Sequence, residues 1–145
     1  MGCGLHLFVE KKINSNWRVI DSPRALCHKY EWNIGCNYGL FDVLAGVRGC
    51  GTKVTRISNE PRGWPEDISQ SIKDEDDTDL HSHSYVTLEE ALIFAYGDDW
   101  INNKFNKFCF IDVTFALLID QLVRSELTTP GMLPNDIRFV FAFDN

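Results

Sequence analysis

The chain has no concentrated positive charge and no long apolar run, and these two absences exclude several classes of protein. Its 14 Lys and Arg are outnumbered by 21 Asp and Glu, so the net charge is −7. No segment supplies the basic stripe that binding to bulk DNA or RNA requires. No apolar run approaches the roughly 18 residues of a membrane span. We therefore predict a partner that is neither bulk nucleic acid nor a membrane.

Paired cysteines are also missing, because the five cysteines form no CxxC motif and their number is odd. A structural zinc site needs clustered ligands, and such a cluster is absent. The sequence does not open with the basic and then apolar pattern of a signal peptide. We expect reduced thiols and a cytoplasmic location.

The composition that is present is typical of a globular protein. The 145 residues are 44% hydrophobic and 24% charged, which is enough for one domain with a buried core over residues 1–145.

Alternating apolar residues predict strands near both ends of the chain. Residues 4–13 and 17–21 form a predicted hairpin around the turn-forming residues 14–16, and residues 137–143 alternate phenylalanine with other residues. We expect the first and last strands near the centre of an antiparallel sheet.

Helical periodicity and end signals predict helices between these strands. Thr87 and Glu90 have the spacing of a capping box. Residues 24–37 and 98–107 are predicted to be mainly loop, and the predicted helices are 38–47, 66–74, 88–96 and 113–127. The predicted fold is α+β, with an antiparallel sheet that includes the N-terminal hairpin and the C-terminal strand, and with helices packed on one face.

The least ordinary chemistry lies in residues 59–87. Arg62 follows Pro61 and precedes Gly63. The proline restricts the backbone next to Arg62, and the glycine, which has no side chain, lets a ligand approach closely. A guanidinium can bind two phosphate or carboxylate oxygens at once. The alternative is a salt bridge from Arg62 to Glu60 or Glu66.

His81 and His83 end this stretch, and residues i and i+2 of a strand share one face. Three interpretations stay open: a metal pair completed by a nearby carboxylate, hydrogen bonds to a ligand, or one histidine on a backbone carbonyl and the other at the surface. The candidate third metal ligands are Asp79, Glu60 and Asp144. We predict no resident metal and no cofactor.

Polar residues elsewhere complete the predicted site. His6 shares a strand face with Phe8 and Glu10, and Asp144 lies at the rim of a pocket if the last strand is central. The predicted ligand-binding residues are His6, Asn37, Tyr38, Glu60, Arg62, His81, His83, Ser84 and Asp144. An enzyme would use His6 with His81 or His83 as acid and base.

Five blocks of the sequence resemble a family of small proteins of tailed bacteriophages and prophages. The matching blocks are residues 1–10, 37–48, 59–67, 81–90 and 138–145. Two positions depart from the family pattern: Asn59 replaces Ser, and Gly4 replaces the Asp that precedes the Ile-His pair. The resemblance implies a viral accessory protein that acts in the bacterial cytoplasm, and Gly4 removes the carboxylate that would have stood beside His6.

We therefore predict a phage accessory protein that sequesters a small anionic, nucleotide-like ligand, such as a host immune signalling molecule. The first alternative is a histidine-dependent, phosphodiesterase-like hydrolase of such a nucleotide. The second is a protein-binding inhibitor of a host factor that uses the acidic residues 74–79. A homo-oligomer is compatible with each of these functions.

Overall fold

The two ends of the chain lie side by side in the centre of an antiparallel sheet. The computed structural model describes residues 3–21, 30–32, 34–49, 55–76, 79–97 and 113–144. Within them the strands are β1 (Leu5–Ile13), β2 (Asn16–Val19), β3 (His81–Thr87) and β4 (Ile137–Phe143). The strand order is β2-β1-β4-β3, and every neighbouring pair is antiparallel. The predicted fold class and the central position of the first and last strands are confirmed.

The N-terminal hairpin forms because Asn14 and Ser15 both adopt a positive φ, of 51° and 68°. Two such residues make a two-residue turn whose twist matches that of the flanking strands. β2 therefore starts at Asn16, one residue before the predicted strand, and it ends at Val19 instead of Asp21. β3 is a strand that the sequence analysis did not predict.

Helices α1 (Tyr38–Ala45), α3 (Leu88–Tyr96) and α4 (Val113–Ser125) match three of the predicted helices, and α1 and α4 each end two residues early. The capping box is confirmed: Glu90 N donates to Thr87 Oγ1 at 3.0 Å, and Thr87 N donates to the Glu90 carboxylate at 3.0 Å. The predicted loop 98–107 lies outside the described residues. None of the described helices is long and apolar enough to cross a membrane.

Helices α1, α3 and α4 cover one side of the sheet, which we call the helical face. The main core lies in this layer and combines the three helices with Leu5, Leu7 and Val9 of β1 and the odd-numbered residues of β4. Phe115 of α4 packs on Phe139 with ring centroids 5.0 Å apart, and Phe41 of α1 packs on Phe143 at the same distance. The long helix α4 therefore lies across the phenylalanine side of the last strand.

The opposite side of the sheet is covered by residues 61–76, which we call the strap, and we call this side the strap face. Its apolar part is small and consists of Phe8, Ile68, Ile72 and Val140. The strap contains the short helix α2 (Gln70–Asp74), which begins four residues later than predicted. The amide of Ser69, directly before it, donates to the carboxylate of Glu10 at 2.8 Å.

A buried ion pair fixes the strap to the sheet. Arg138 Nε donates to Glu10 Oε1 at 2.7 Å, and both side chains are almost fully buried. Arg138 also binds the carboxylate of Asp67 at 2.9 Å, and its guanidinium lies 3.9 Å from the ring centroid of Trp17. Because removing water from two charges is costly, the pair is tolerated only with this full set of partners.

We expect Arg138→Met to lower the free energy of unfolding by about 3–5 kcal/mol, because Glu10 would stay buried without its cation. Urea unfolding measures this loss. The matched control is Arg124→Met, because Arg124 forms an exposed pair with Asp120 on α4 and its loss should cost at most about 1 kcal/mol. Equal losses in the two variants would contradict a structural role for the buried pair.

Candidate functional site

The candidate site lies at the end of the sheet where β1 begins and β4 ends; we call it the sheet end. The amide of Asp144 donates to the carbonyl of Gly4 at 3.0 Å, so the pairing of the two central strands continues past β4. The amide of Gly4 in turn donates to Asp144 Oδ1 at 2.7 Å. These two bonds hold a residue that would otherwise fray.

Gly4 leaves the space that the Asp144 carboxylate occupies. A Cβ atom at position 4 would lie 2.9 Å from Asp144 Oδ1 and 3.1 Å from Oδ2. Position 4 itself carries no carboxylate, as the sequence indicates, but His6 contacts two carboxylates from distant parts of the chain.

His6 is clamped between these carboxylates. Its Nδ1 lies 2.8 Å from Glu31 Oε1, and its Nε2 lies 2.6 Å from Asp144 Oδ2. Since ionised carboxylates only accept hydrogen bonds, both ring nitrogens donate and the ring is an imidazolium. The hydrogen bond to Glu31, together with that to Asp144, raises the pKa of His6 to about 9 against the opposing effect of burial. The same contact with His6 lowers the pKa of Asp144.

Tyr38 reaches the sheet end from α1. Its hydroxyl accepts a hydrogen bond from the amide of Cys3 at 3.1 Å, and the next amide, that of Gly4, binds Asp144. Asn37 places Tyr38 by capping α1, because its side chain accepts from the amide of Leu40. Tyr38 is 36% exposed. His6, Tyr38 and Asp144 of the predicted set therefore converge here.

Arg48 adds positive charge on the Tyr38 side of the sheet end. The centre of its guanidinium lies 5.8 Å from the centroid of the Tyr38 ring, within the range of a cation–π contact.

His81 and His83 do not share a face, and the prediction of two imidazoles on one side is wrong. His81 pairs with Phe143 and Ser84 with Phe141, so two residues on β3 oppose the single Ala142 on β4. This β-bulge contains Ser82 at φ 55°, and the extra residue breaks the period-two alternation.

The two histidines consequently contact different layers. The ring of His81 lies 6.4 Å from that of Phe143, on the helical face. The ring of His83 packs edge-on against Trp64 of the strap at 4.4 Å, and its Nε2 donates to Asp76 at 3.0 Å. In the described part of the chain, no group of three or more His, Cys, Asp or Glu residues is placed to hold a metal ion.

Arg62 is engaged within the protein. Its guanidinium binds both carboxylate oxygens of Glu90, at 2.9 and 2.6 Å, and also the carbonyl of Tyr85 at 3.1 Å. Its partner is thus the capping-box glutamate and not Glu60 or Glu66. Burial opposes the ionisation of Glu90, but Arg62 and Thr87 outweigh this effect and lower its pKa.

Ser84 and Glu60 belong to the surroundings of Arg62 and not to the His6 clamp: Ser84 contacts Arg62 in space, and Glu60 precedes it by two residues. The buried hydroxyl of Ser84 accepts from the amide of Arg62 at 3.0 Å. Glu60 is exposed, and its carbonyl accepts from Ser58. The structure therefore divides the predicted set between the sheet end and the junction of the strap with β3.

Sequence reasoning missed Glu31 and Trp64. Glu31 lies in a stretch without clear periodicity, and it reaches His6 because Trp32 bridges to Leu7 of β1. Trp64 stands two residues after Arg62, within residues 59–87, but a single tryptophan there gives no indication that its ring meets His83.

No protein-family model, no curated protein and no solved structure matches this chain. The resemblance to phage proteins stays a prediction, and the candidate site is defined by the geometry of the chain itself.

We expect NMR titration of His6 to show a midpoint near pH 9. Glu31→Gln should lower the midpoint most, since its hydrogen bond is the largest contribution, and Asp144→Asn should lower it less. Because the pKa is raised above 6.5 on folding, the stabilisation is complete below pH 6.5 and is lost as the pH rises through about 9.

The control for this titration is Asp120→Asn, which also removes one negative charge but does so on the solvent-facing side of α4. It should leave the midpoint of His6 within a few tenths of a unit of the wild-type value, since exposed charges are strongly screened. A wild-type midpoint close to 6.5 would refute the clamp.

Proposed function

We propose that this chain binds a small anionic, nucleotide-like ligand at the sheet end and holds it without hydrolysing it. The observation that carries the proposal is the convergence at Cys3 and Gly4. Their successive amides hold the phenol of Tyr38 and the carboxylate of Asp144, and Asp144 in turn clamps His6 against Glu31.

The chemistry of these groups suits a nucleotide. Carboxylates of proteins accept hydrogen bonds from ribose hydroxyls, and each oxygen of Asp144 has lone-pair capacity beyond its present bond. Positive charge at this end comes from the protonated His6 and from Arg48. The side chains of His6, Glu31 and Asp144 are 30%, 24% and 40% exposed, so a ligand can reach them.

The same geometry argues against hydrolysis. A histidine with a pKa of about 9 is protonated at neutral pH and cannot act as a general base, which needs a pKa near the working pH. His6 is left as an acid only, and neither predicted partner is placed as its base: His81 lies on the other face of the sheet, and Nε2 of His83 is engaged with Asp76. Binding is therefore favoured over the hydrolase alternative.

Protein mimicry through residues 74–79 has less support. Asp76, in the middle of this acidic run, accepts hydrogen bonds from His83 and from the indole of Trp64, so its carboxylate serves the attachment of the strap. The resemblance to phage proteins suggests host immune signalling nucleotides as the ligands to test first.

The test is to incubate the purified protein with ADP-ribose and cyclic dinucleotides, remove the free ligand, denature the protein and identify the released compounds by mass spectrometry. We expect an intact nucleotide. Glu31→Gln and Asp144→Asn should each reduce its recovery about tenfold or more, since a hydrogen bond to a charged group contributes roughly 1.5–3 kcal/mol.

Asp120→Asn is the control and should recover as much nucleotide as the wild type, since its carboxylate lies on α4 and pairs with Arg124. Release of a cleaved nucleotide would establish the hydrolase. Recovery of no nucleotide at all would reject the proposed function and direct the search to a protein partner.

A further inference from the structure

His6 and His83 stand on either side of Ala142 on the strap face. His6 pairs with Ala142 across β1 and β4, while the bulge sets Ser82 and His83 against the same alanine from β3. Neighbouring strands are about 4.8 Å apart, so the backbones of the two histidines are separated by about 10 Å. One nucleoside can bridge this span.

The side chains along this row are accessible, although the alanine between them is not. Ala142 is fully buried, so a ligand would rest on the flanking side chains and not on the strand. The His6 side chain is 30% exposed and the His83 side chain 26%, and Trp64 beside His83 is partly exposed.

The two ends of the row offer complementary chemistry. At the His6 end, Glu31 and Asp144 present carboxylate oxygens that accept hydrogen bonds. At the other end, the carboxylate of Asp76, which lies 3.0 Å from Nε2 of His83 and accepts from the indole of Trp64, likewise presents acceptor oxygens. The indole of Trp64 is a surface on which a planar base can stack.

Acceptors at both ends suit the donors of a nucleoside and not the oxygens of a phosphate, which the carboxylates would repel. We propose that the nucleoside part of the ligand lies on the strap face, with its ribose hydroxyls at Glu31 and Asp144 and its base against Trp64 and His83. This inference rests on the proposed function and assigns the side of the sheet end that the ligand occupies.

The competing position is the helical side of the sheet end. Tyr38 and His81 flank Phe41 and Phe143 there, and a base could stack on Tyr38 in the same way. The two positions use different aromatic residues, so substitutions separate them.

The experiment measures the Kd of ADP-ribose and, separately, of cyclic di-AMP by calorimetry for His83→Gln and Trp64→Leu, and for His81→Gln and Tyr38→Leu. We expect the first pair to weaken binding roughly ten- to a hundredfold, the range that the loss of one stacked base implies. The second pair should lose less. Asp120→Asn, on the solvent-facing side of α4, should bind like the wild type.

Thermal unfolding of each variant separates a loss of binding from a loss of folding. This control is needed because Trp64 also packs against the small apolar cluster under the strap. His83→Gln retains a polar group beside Asp76, so it tests the same position if Trp64→Leu is poorly folded. The reverse ranking, or equal losses in the two pairs, would overturn the strap-face position while leaving the proposed function intact. If neither nucleotide binds the wild-type protein, both proposals fail.

Discussion

The pairing register of β1 with β4 is the constraint on which the rest of the structure depends. It joins the two ends of the chain over seven residue pairs, with Glu10 opposite Arg138 and His6 opposite Ala142. A slip of one residue would exchange the two faces of a strand. His6 and Glu10 would then enter the aromatic core, and the core residues of that strand would leave it. The core and the candidate site therefore require the same register.

The need for one pairing register explains why the ion pair of Glu10 and Arg138 is buried. Two charges removed from water contribute little net stability, and an apolar pair of similar volume would often serve as well. In a shifted register, however, each charge would be buried without its partner, which is far more costly. We interpret the pair as a device for selecting the register. The pair also attaches the strap to the sheet, because Arg138 binds Asp67 and Glu10 accepts from the amide of Ser69.

Features coded by neighbouring residues could be predicted from the sequence, whereas those that depend on distant pairing could not. The hairpin, the capping box at Thr87 and the packing of α4 on the last strand follow from periodicity and end signals. β3 was not predicted because its bulge interrupts the alternation that marks a strand. The partner of Arg62 lies 28 residues away, and Glu31 meets His6 only through the bridge between Trp32 and Leu7.

The bulge in β3 connects the strap to the sheet end. Ser82 adopts φ 55°, a conformation that costs a non-glycine residue about 1 kcal/mol or more and that persists only where its surroundings impose it. Contacts on both sides impose it here. The carbonyl of His83 accepts from the amide of Gly63 at 2.8 Å, and the ring of His81 lies beside Phe143. A regular strand would have placed both imidazoles on one face, so the strained residue is what gives each face its own histidine.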